Sequence, residues 1–453
     1  MTDDFLKSIE NNRFHLDCSS IVLTQDASHG SPVVYNGPGT IYQEDENRFI
    51  VKVFCQGKTD IRTVLGSINR LVPGKLVDDN EYYSLRATDI KGGTWTAASI
   101  MPKIHASFHG EGFLVMGDFS VLQFREEDSL QRVGTSIRLF YKGKHDVPCN
   151  TPSVSKRFIG DEERGSSSAL NVAQFAIGDI QFEILSEDDW LIVYFYSKHE
   201  DMNKITAQRV HEALQFVLAK TVPWSILDIS KENVHETTVR AVGYTGQKSK
   251  AQPPFHFSTV DTEGNVWKLF ERFFTYCSDY KEPDWHPLFD YVHQVVEAGK
   301  ASMEAYALTL TVSVEGLLKL AFRDVALPGE EFLHKLEDAQ GEIDNSKISE
   351  DVKRRIRGAL EPMKNPRAID RLRYLVDEGV VDQRLVRSWK RVRNSSAHSD
   401  PIDLSRFQEL IDDCYAVYVL FNQLIFHVIE YDGQYTDYSV HGFPTGKYEL
   451  KRP

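Results

Sequence analysis

Trp389-Lys390-Arg391-Val392-Arg393-Asn394-Ser395-Ser396-Ala397-His398-Ser399-Asp400 decides how the C-terminal half of this chain is read. Apolar and basic residues keep a helical spacing up to Asn394, and Asp400-Pro401 stands where such a helix should stop. Leu385, Trp389 and Val392 fall at i, i+4 and i+7 and define a buried stripe. Arg393, seven residues after Val386, lies at the edge of that stripe, whereas Arg384, Arg387 and Arg391 point the other way. His398 follows about one turn later, so an imidazole is expected beside a guanidinium at a helix end. Of the 15 histidines in the chain, His398 alone has an arginine five positions before it.

Working back from that point, the helical period is continuous from about Thr262. Val266, Trp267, Leu269, Phe270, Phe273 and Phe274 mark one amphipathic helix, and Pro287 opens a second that ends near Gly299. A long helix is expected over about Ala301 to Arg323, and a basic one follows Ser349. Shorter pieces run from Asp370 to Glu378 and from Asp382 to Asn394. The last helix, about Asp403 to Glu430, carries two apolar stripes, wider than one core face needs, which points to an oligomer interface. Residues 432–453 read as a polar tail.

The period changes towards the N-terminus. Phe49–Phe54, Phe113–Met116, Ile137–Tyr141 and Trp190–Tyr196 are short, rich in β-branched and aromatic residues, and separated by turn-forming clusters. Asn36-Gly37-Pro38-Gly39 is read as one of those turns. The fold class is therefore a multidomain α and β protein. Residues 1–250 form a β-rich, antiparallel sandwich- or barrel-like module interrupted by a helix near Lys204–Lys220, and residues 262–431 form an all-α bundle.

At 453 residues the chain exceeds one ordinary core. Its hydrophobic and charged fractions, 41% and 26%, are those of a globular protein. No apolar run reaches a membrane span, and no basic stretch with an apolar core opens the sequence. Cys18, Cys55, Cys149, Cys277 and Cys414 are scattered without a CxxC pair, which suits reduced thiols in a cytoplasm. The net charge is −14, yet residues 351–400 hold 13 Lys and Arg against 7 Asp and Glu. A basic island on an acidic protein focuses field on one site while discouraging indiscriminate polyanion binding.

Glu315 and Lys319 complete the pattern. They stand i, i+4 on the long helix, an order that ordinarily makes a weak surface pair. Leu308, Val312 and Phe322 share that face and Leu310, Val314, Leu317 and Leu318 fill the others, so partial burial is expected, and a buried charge needs a partner. Arg393 is the obvious one for Glu315.

Glu315-x3-Lys319 followed by Arg393-Asn394-x3-His398 resembles the HEPN nuclease domain over about Pro287 to Glu430. A β-rich half ahead of such a domain is similar to the ApeA-type anti-phage proteins of bacteria. The resemblance implies a helical bundle that dimerises and cleaves RNA, tRNA being one candidate, without a metal or other cofactor, in abortive infection triggered by phage. It implies Arg393 and His398 as catalytic residues, with Asn394, Glu315 and Lys319 in support and Lys390 and Arg391 touching RNA. The residue chemistry agrees. RNA supplies its own nucleophile, the 2′-OH, and an imidazole titrates near working pH, so His398 can move that proton or protonate the leaving 5′-oxygen. Arg393 offers bidentate contacts to the developing phosphorane charge. Asn394 can orient His398, Glu315 can hold Arg393, and Lys319 can touch phosphate or balance Glu315. The products are a 2′,3′-cyclic phosphate and a 5′-OH.

Other groups carry less. His105 and His109 sit on a strand or loop, a poor setting for a metal pair, and His286 and His293 suit structural roles. The aromatic run Trp267–Tyr276 reads as core before it reads as a base-stacking platform. The rival to the enzyme is a non-catalytic helical module that binds RNA or protein, which has no need of Arg393 and His398 together.

Overall fold

The computed structural model describes residues 3–451 except 27–31, 58–73, 107–111, 128–132, 160–161, 188, 200, 244–246, 258–263 and 398–403. The chain divides into two compact units. One comprises Met1–Ala207 and Val222–Gly246, the other Gln208–Thr221 and Gln247–Pro453.

The first unit opens with a short helix, α1 (Asp3–Glu10), and is otherwise one antiparallel sheet of fifteen strands among the described residues. The strands are β1 (His15–Gln25), β2 (Val34–Asp45), β3 (Arg48–Gln56), β4 (Tyr83–Asp89), β5 (Thr94–Ile100), β6 (Lys103–Ala106), β7 (Gly112–Phe119) and β8 (Val121–Glu127). They continue as β9 (Thr135–Lys142), β10 (Thr151–Ile159), β11 (Glu162–Ile177), β12 (Ile180–Glu187), β13 (Trp190–Ser197), β14 (Trp224–Lys231) and β15 (Val234–Arg240). Among the described residues the order β10-β11-β12-β13-β9-β14-β15-β8-β5-β4-β1-β2-β3-β7-β6 has two ends that do not pair with each other. Period-two burial explains the pairing. On β13, Trp190, Leu191, Val193, Phe195 and Ser197 are buried while Ile192, Tyr194 and Tyr196 are half-buried. Phe14, Ile21, Phe49, Val51, Tyr83, Trp95, Phe140, Ile226 and Val239 lie in one core that spans the sheet.

Asn36-Gly37-Pro38-Gly39, expected as a turn, lies inside β2. A Cβ at Gly37 would sit 2.1 Å from the carbonyl oxygen of Phe54, and one at Gly39 2.0 Å from that of Lys52. These glycines serve close strand approach, not chain reversal.

The second unit is helical. It takes most of α2 (Lys204–Leu218), then α3 (Asn265–Cys277), α4 (Pro287–Ala298), α5 (Met303–Ala321), α6 (Glu330–Asn345), α7 (Glu350–Leu360), α8 (Ala368–Asp377), α9 (Gln383–Ala397) and α10 (Phe407–Val428). Sequence periodicity located these helices within a few residues, except α1 and α6. Helix α6 buries only Leu336, and so few apolar contacts leave no clear stripe to read. Residues 432–453 are not a loose tail. β16 (Gly433–Thr436) and β17 (Thr445–Tyr448) pair as a hairpin, with Tyr431, Tyr438 and Tyr448 buried.

Two local devices fix the ends of α4. Pro287 occupies the first turn, and His286 caps it by accepting from the Leu288 amide at 3.0 Å through Nδ1. Beside it, Arg209 and Glu212 of α2 form a fully buried pair. Arg209 also donates to the carbonyls of Glu282 and Asp284, at 2.6 and 2.8 Å, and Glu212 accepts from the His286 amide at 3.2 Å. Burial and the neighbouring Arg209 push the His286 imidazole down to about 4, so it stays neutral and keeps its cap.

That depression has a sign. The unfolded chain takes up a proton at His286 below about 6.5 that the folded chain refuses, so this stability is complete above 6.5 and is lost as pH falls towards 4. Chemical unfolding followed from pH 7 to 4 should show the wild type losing roughly 2–3 kcal/mol more than His286→Asn, which keeps a capping acceptor without the titration. Equal pH slopes for the two proteins would contradict this reading.

Candidate active site

The site is built where α5 and α9 meet. On α9, Leu385, Val386, Trp389 and Val392 are all buried, as the spacing required, and Asp382 accepts from the Arg384 amide at 2.7 Å to start the helix. Trp389 reaches across to α5, its indole Nε1 donating to the carbonyl of Thr311 at 3.4 Å. That contact sets the separation of the two helices at the level where Glu315 follows one turn later.

Arg393 donates from Nε to Glu315 Oε1 at 2.6 Å, closing a link between residues 78 positions apart. Its guanidinium lies 6.0 Å from the Trp389 ring. The expected partnership is therefore present. Its setting is wetter than the apolar character of α5 suggested: Arg393 is 48% and Glu315 26% exposed in their side chains. Leu308 and Val312, expected to bury this face, are themselves exposed. A pair this open contributes little to stability, less than about 1 kcal/mol, so what it chiefly does is aim the guanidinium. Lys319 is exposed one turn beyond Glu315, with no ion-pair partner among the described residues.

Asn394 is exposed at the end of α9. His398 and Asp400 lie outside the described residues. The described part of the site is thus Arg393, Asn394, Glu315 and Lys319.

The basic residues expected to touch RNA separate into two kinds. Arg391 is engaged by Asp413 of α10, with Nε donating to Oδ2 at 2.8 Å, and it also donates to Ser388 at 2.9 Å. Hydrogen bonding to Asp413 raises its already high pKa further. Lys390 is exposed with no partner among the described residues, and so is Arg387, one turn before Arg391. Sequence spacing shows Arg387 only as outward-facing, and its lack of a partner among the described residues has no signal there. Much of the remaining basic island is likewise self-paired: Arg354 with Asp351, Arg357 with Asp344, Lys364 with Glu361, and Arg367 with Asp370.

The apolar width of α10, read as an oligomer interface, is used within the chain. Cys414 and every residue from Ala416 to Phe426 are buried; the helix packs on α5 and α9, and Gln423 and Phe426 meet Tyr435 and Tyr448 of the hairpin. Exposed apolar residues near the site include Leu308, Val312 and Leu320 of α5 instead. Among the described residues no three or more His, Cys, Asp and Glu side chains converge. No family model, no curated protein and no solved structure matches this chain.

Gly316, next to Glu315, escaped notice in the sequence. A Cβ there would fall 2.3–2.7 Å from ring atoms and the hydroxyl of Tyr291 on α4, so the glycine lets α4 pack directly onto the site helix. Gly316→Ala should lower stability by about 1–3 kcal/mol despite the better helix propensity of alanine. In a Tyr291→Ala background, where the ring is gone, the same substitution should raise it. Thermal melts of the four proteins check the sign change; a stabilising Gly316→Ala in both backgrounds would contradict the contact.

Proposed function

We propose that this chain is an endoribonuclease of the HEPN type that cleaves RNA by 2′-OH attack. The observation that carries the reading is the Arg393–Glu315 bond, which fixes a guanidinium at the end of α9, five positions before a histidine. A half-exposed arginine held from behind by a carboxylate is suited to meet a phosphate, because one edge is anchored and the rest faces water. His398 supplies the proton transfer at the 2′-oxygen or the 5′-oxygen, and Asn394 orients it. Lys319 contacts phosphate, since Glu315 is already engaged by Arg393. No metal-bound water is needed, because the nucleophile belongs to the substrate.

In this reading two copies pair across the exposed Leu308–Val312 face of α5, bringing two sites together so that one histidine acts as base and the other as acid. The β-rich unit recruits RNA or senses a phage-derived trigger, and activity on host RNA, tRNA included, gives abortive infection. Arg387 and Lys390 carry the backbone of the RNA, in place of the Arg391 assigned from the sequence.

Purified protein incubated with total RNA in EDTA should leave 2′,3′-cyclic phosphate and 5′-OH ends. Arg393→Ala and His398→Ala should each reduce single-turnover cleavage by about 10²–10⁴-fold while the chains stay folded. An intact RNA profile at all wild-type concentrations returns the reading to a non-catalytic binding module. Binding tests the second assignment. Arg387→Ala and Lys390→Ala should each weaken RNA affinity in His398→Ala protein and lower the salt slope by about 1, whereas Arg391→Ala should leave the slope nearly unchanged.

A further inference from the structure

The sheet unit contains a second cluster of charged groups, unconnected with the residues above. It lies on the central strands β13, β9, β14 and β15, where Tyr194, Arg138, Asp228 and Thr237 are directly opposite one another in a cross-strand row. The next row on the same face, two residues along each strand, holds Tyr196, Ser136, Ser230 and His235. The row on the other side holds Ile192, Phe140, Ile226 and Val239, which belong to or pack on the sheet core. The face therefore changes from apolar core to ionic groups within one step.

Asp228 is the centre. Its side chain is 1% exposed, and its pKa still lies below the usual carboxylate value: burial opposes ionisation, but His235 and Arg138 together outweigh it. Arg138 donates from Nε to Oδ2 at 2.9 Å and again from Nη2. His235 donates from Nε2 to Oδ1, and Thr237 donates to the same oxygen at 3.2 Å. The carboxylate is saturated, but its partners are not. Arg138 is 39% and His235 17% exposed, and neither Nη1 of the one nor Nδ1 of the other has a partner among the described residues.

A buried ion cluster on a core face is an expensive way to stabilise a sheet, and apolar replacements of equal volume are often as stable or more so. What the cluster does supply is two fixed functional atoms. In the tautomer that gives Nε2–H to Asp228, the imidazole leaves Nδ1 as an acceptor, and the guanidinium presents its outer N–H groups as donors. Donor and acceptor side by side match an oxyanion that still carries a hydroxyl proton. We propose that this face binds inorganic phosphate, with P–O⁻ on Arg138 and P–OH on His235 Nδ1. Glu126 stands opposite His235, and Glu183 opposite Tyr194 accepts from Gln174 at 2.7 Å. Those carboxylates oppose a polyanion such as an RNA backbone more than a small anion.

The test uses the full chain. Thermal melts are recorded at neutral pH and constant ionic strength with inorganic phosphate, ethyl phosphate or sulfate replacing chloride. Inorganic phosphate, which keeps an O–H at neutral pH, should raise the melting temperature saturably, with sulfate and the ethyl phosphate dianion binding at least tenfold more weakly because they bring no O–H to Nδ1. Arg138→Gln and His235→Gln should each weaken phosphate binding at least tenfold. In case a variant fails to fold, phenylglyoxal modification of Arg138 in the wild type is mapped by mass spectrometry, and phosphate should protect it selectively over sulfate. Sulfate or ethyl phosphate acting as well as inorganic phosphate, no saturable shift with inorganic phosphate, or unprotected Arg138 overturns the proposal. Each of these readouts is independent of RNA cleavage.

Discussion

The helical unit is arranged around the packing of α9 on α5, and that packing hangs on one buried indole. Trp389 fills the seam and donates to the Thr311 carbonyl, so the two helices cannot slide without losing both a large buried surface and a hydrogen bond. One turn further along each helix, Glu315 and Arg393 come within 2.6 Å. The ion pair is a consequence of the seam, not its cause, because an exposed pair is too weak to hold helices together. Burial provides the precision, and the exposed residues at the rim spend it.

Charge on this protein is handled locally. The excess of cations between residues 351 and 400 is mostly neutralised by acids three residues away or on the adjoining helix. What stays unengaged on α9 is a short stripe, Arg387 and Lys390, leading towards Asn394. On an acidic protein, exposed cations without an ion-pair partner that stand close together concentrate the field where they stand. Position and partner-free exposure matter more here than the count of basic residues.

The sequence carried the class of both halves, because period-two and period-3.6 patterns record burial directly. It carried Trp389 as core and Glu315 as the partner of Arg393, since a charge on an apolar helix must answer to another charge. It misled over α5, where Leu308 and Val312 are exposed, because composition reports that a helix is apolar without saying which faces are covered. For the same reason the apolar width of α10 suggested a partner when its own chain supplies the cover. Gly37 and Gly39 look like turn residues by type, and only the neighbouring strand reveals their use. The Asp228 cluster was invisible, because its members come from three strands whose pairing no local pattern specifies.

Two arrangements of the same kind recur in separate units. In each, a carboxylate fixes one edge of an arginine and leaves the side chain partly exposed: Glu315 behind Arg393, and Asp228 behind Arg138. Only the first has a histidine placed five residues on, in a chain read as cutting RNA through the substrate's own hydroxyl. The most direct measurement is single-turnover cleavage of an RNA carrying one 2′-deoxy nucleotide immediately 5′ to the mapped cut. The account predicts that cleavage stops at that bond alone and persists at others; undiminished cleavage at the deoxy position would contradict it.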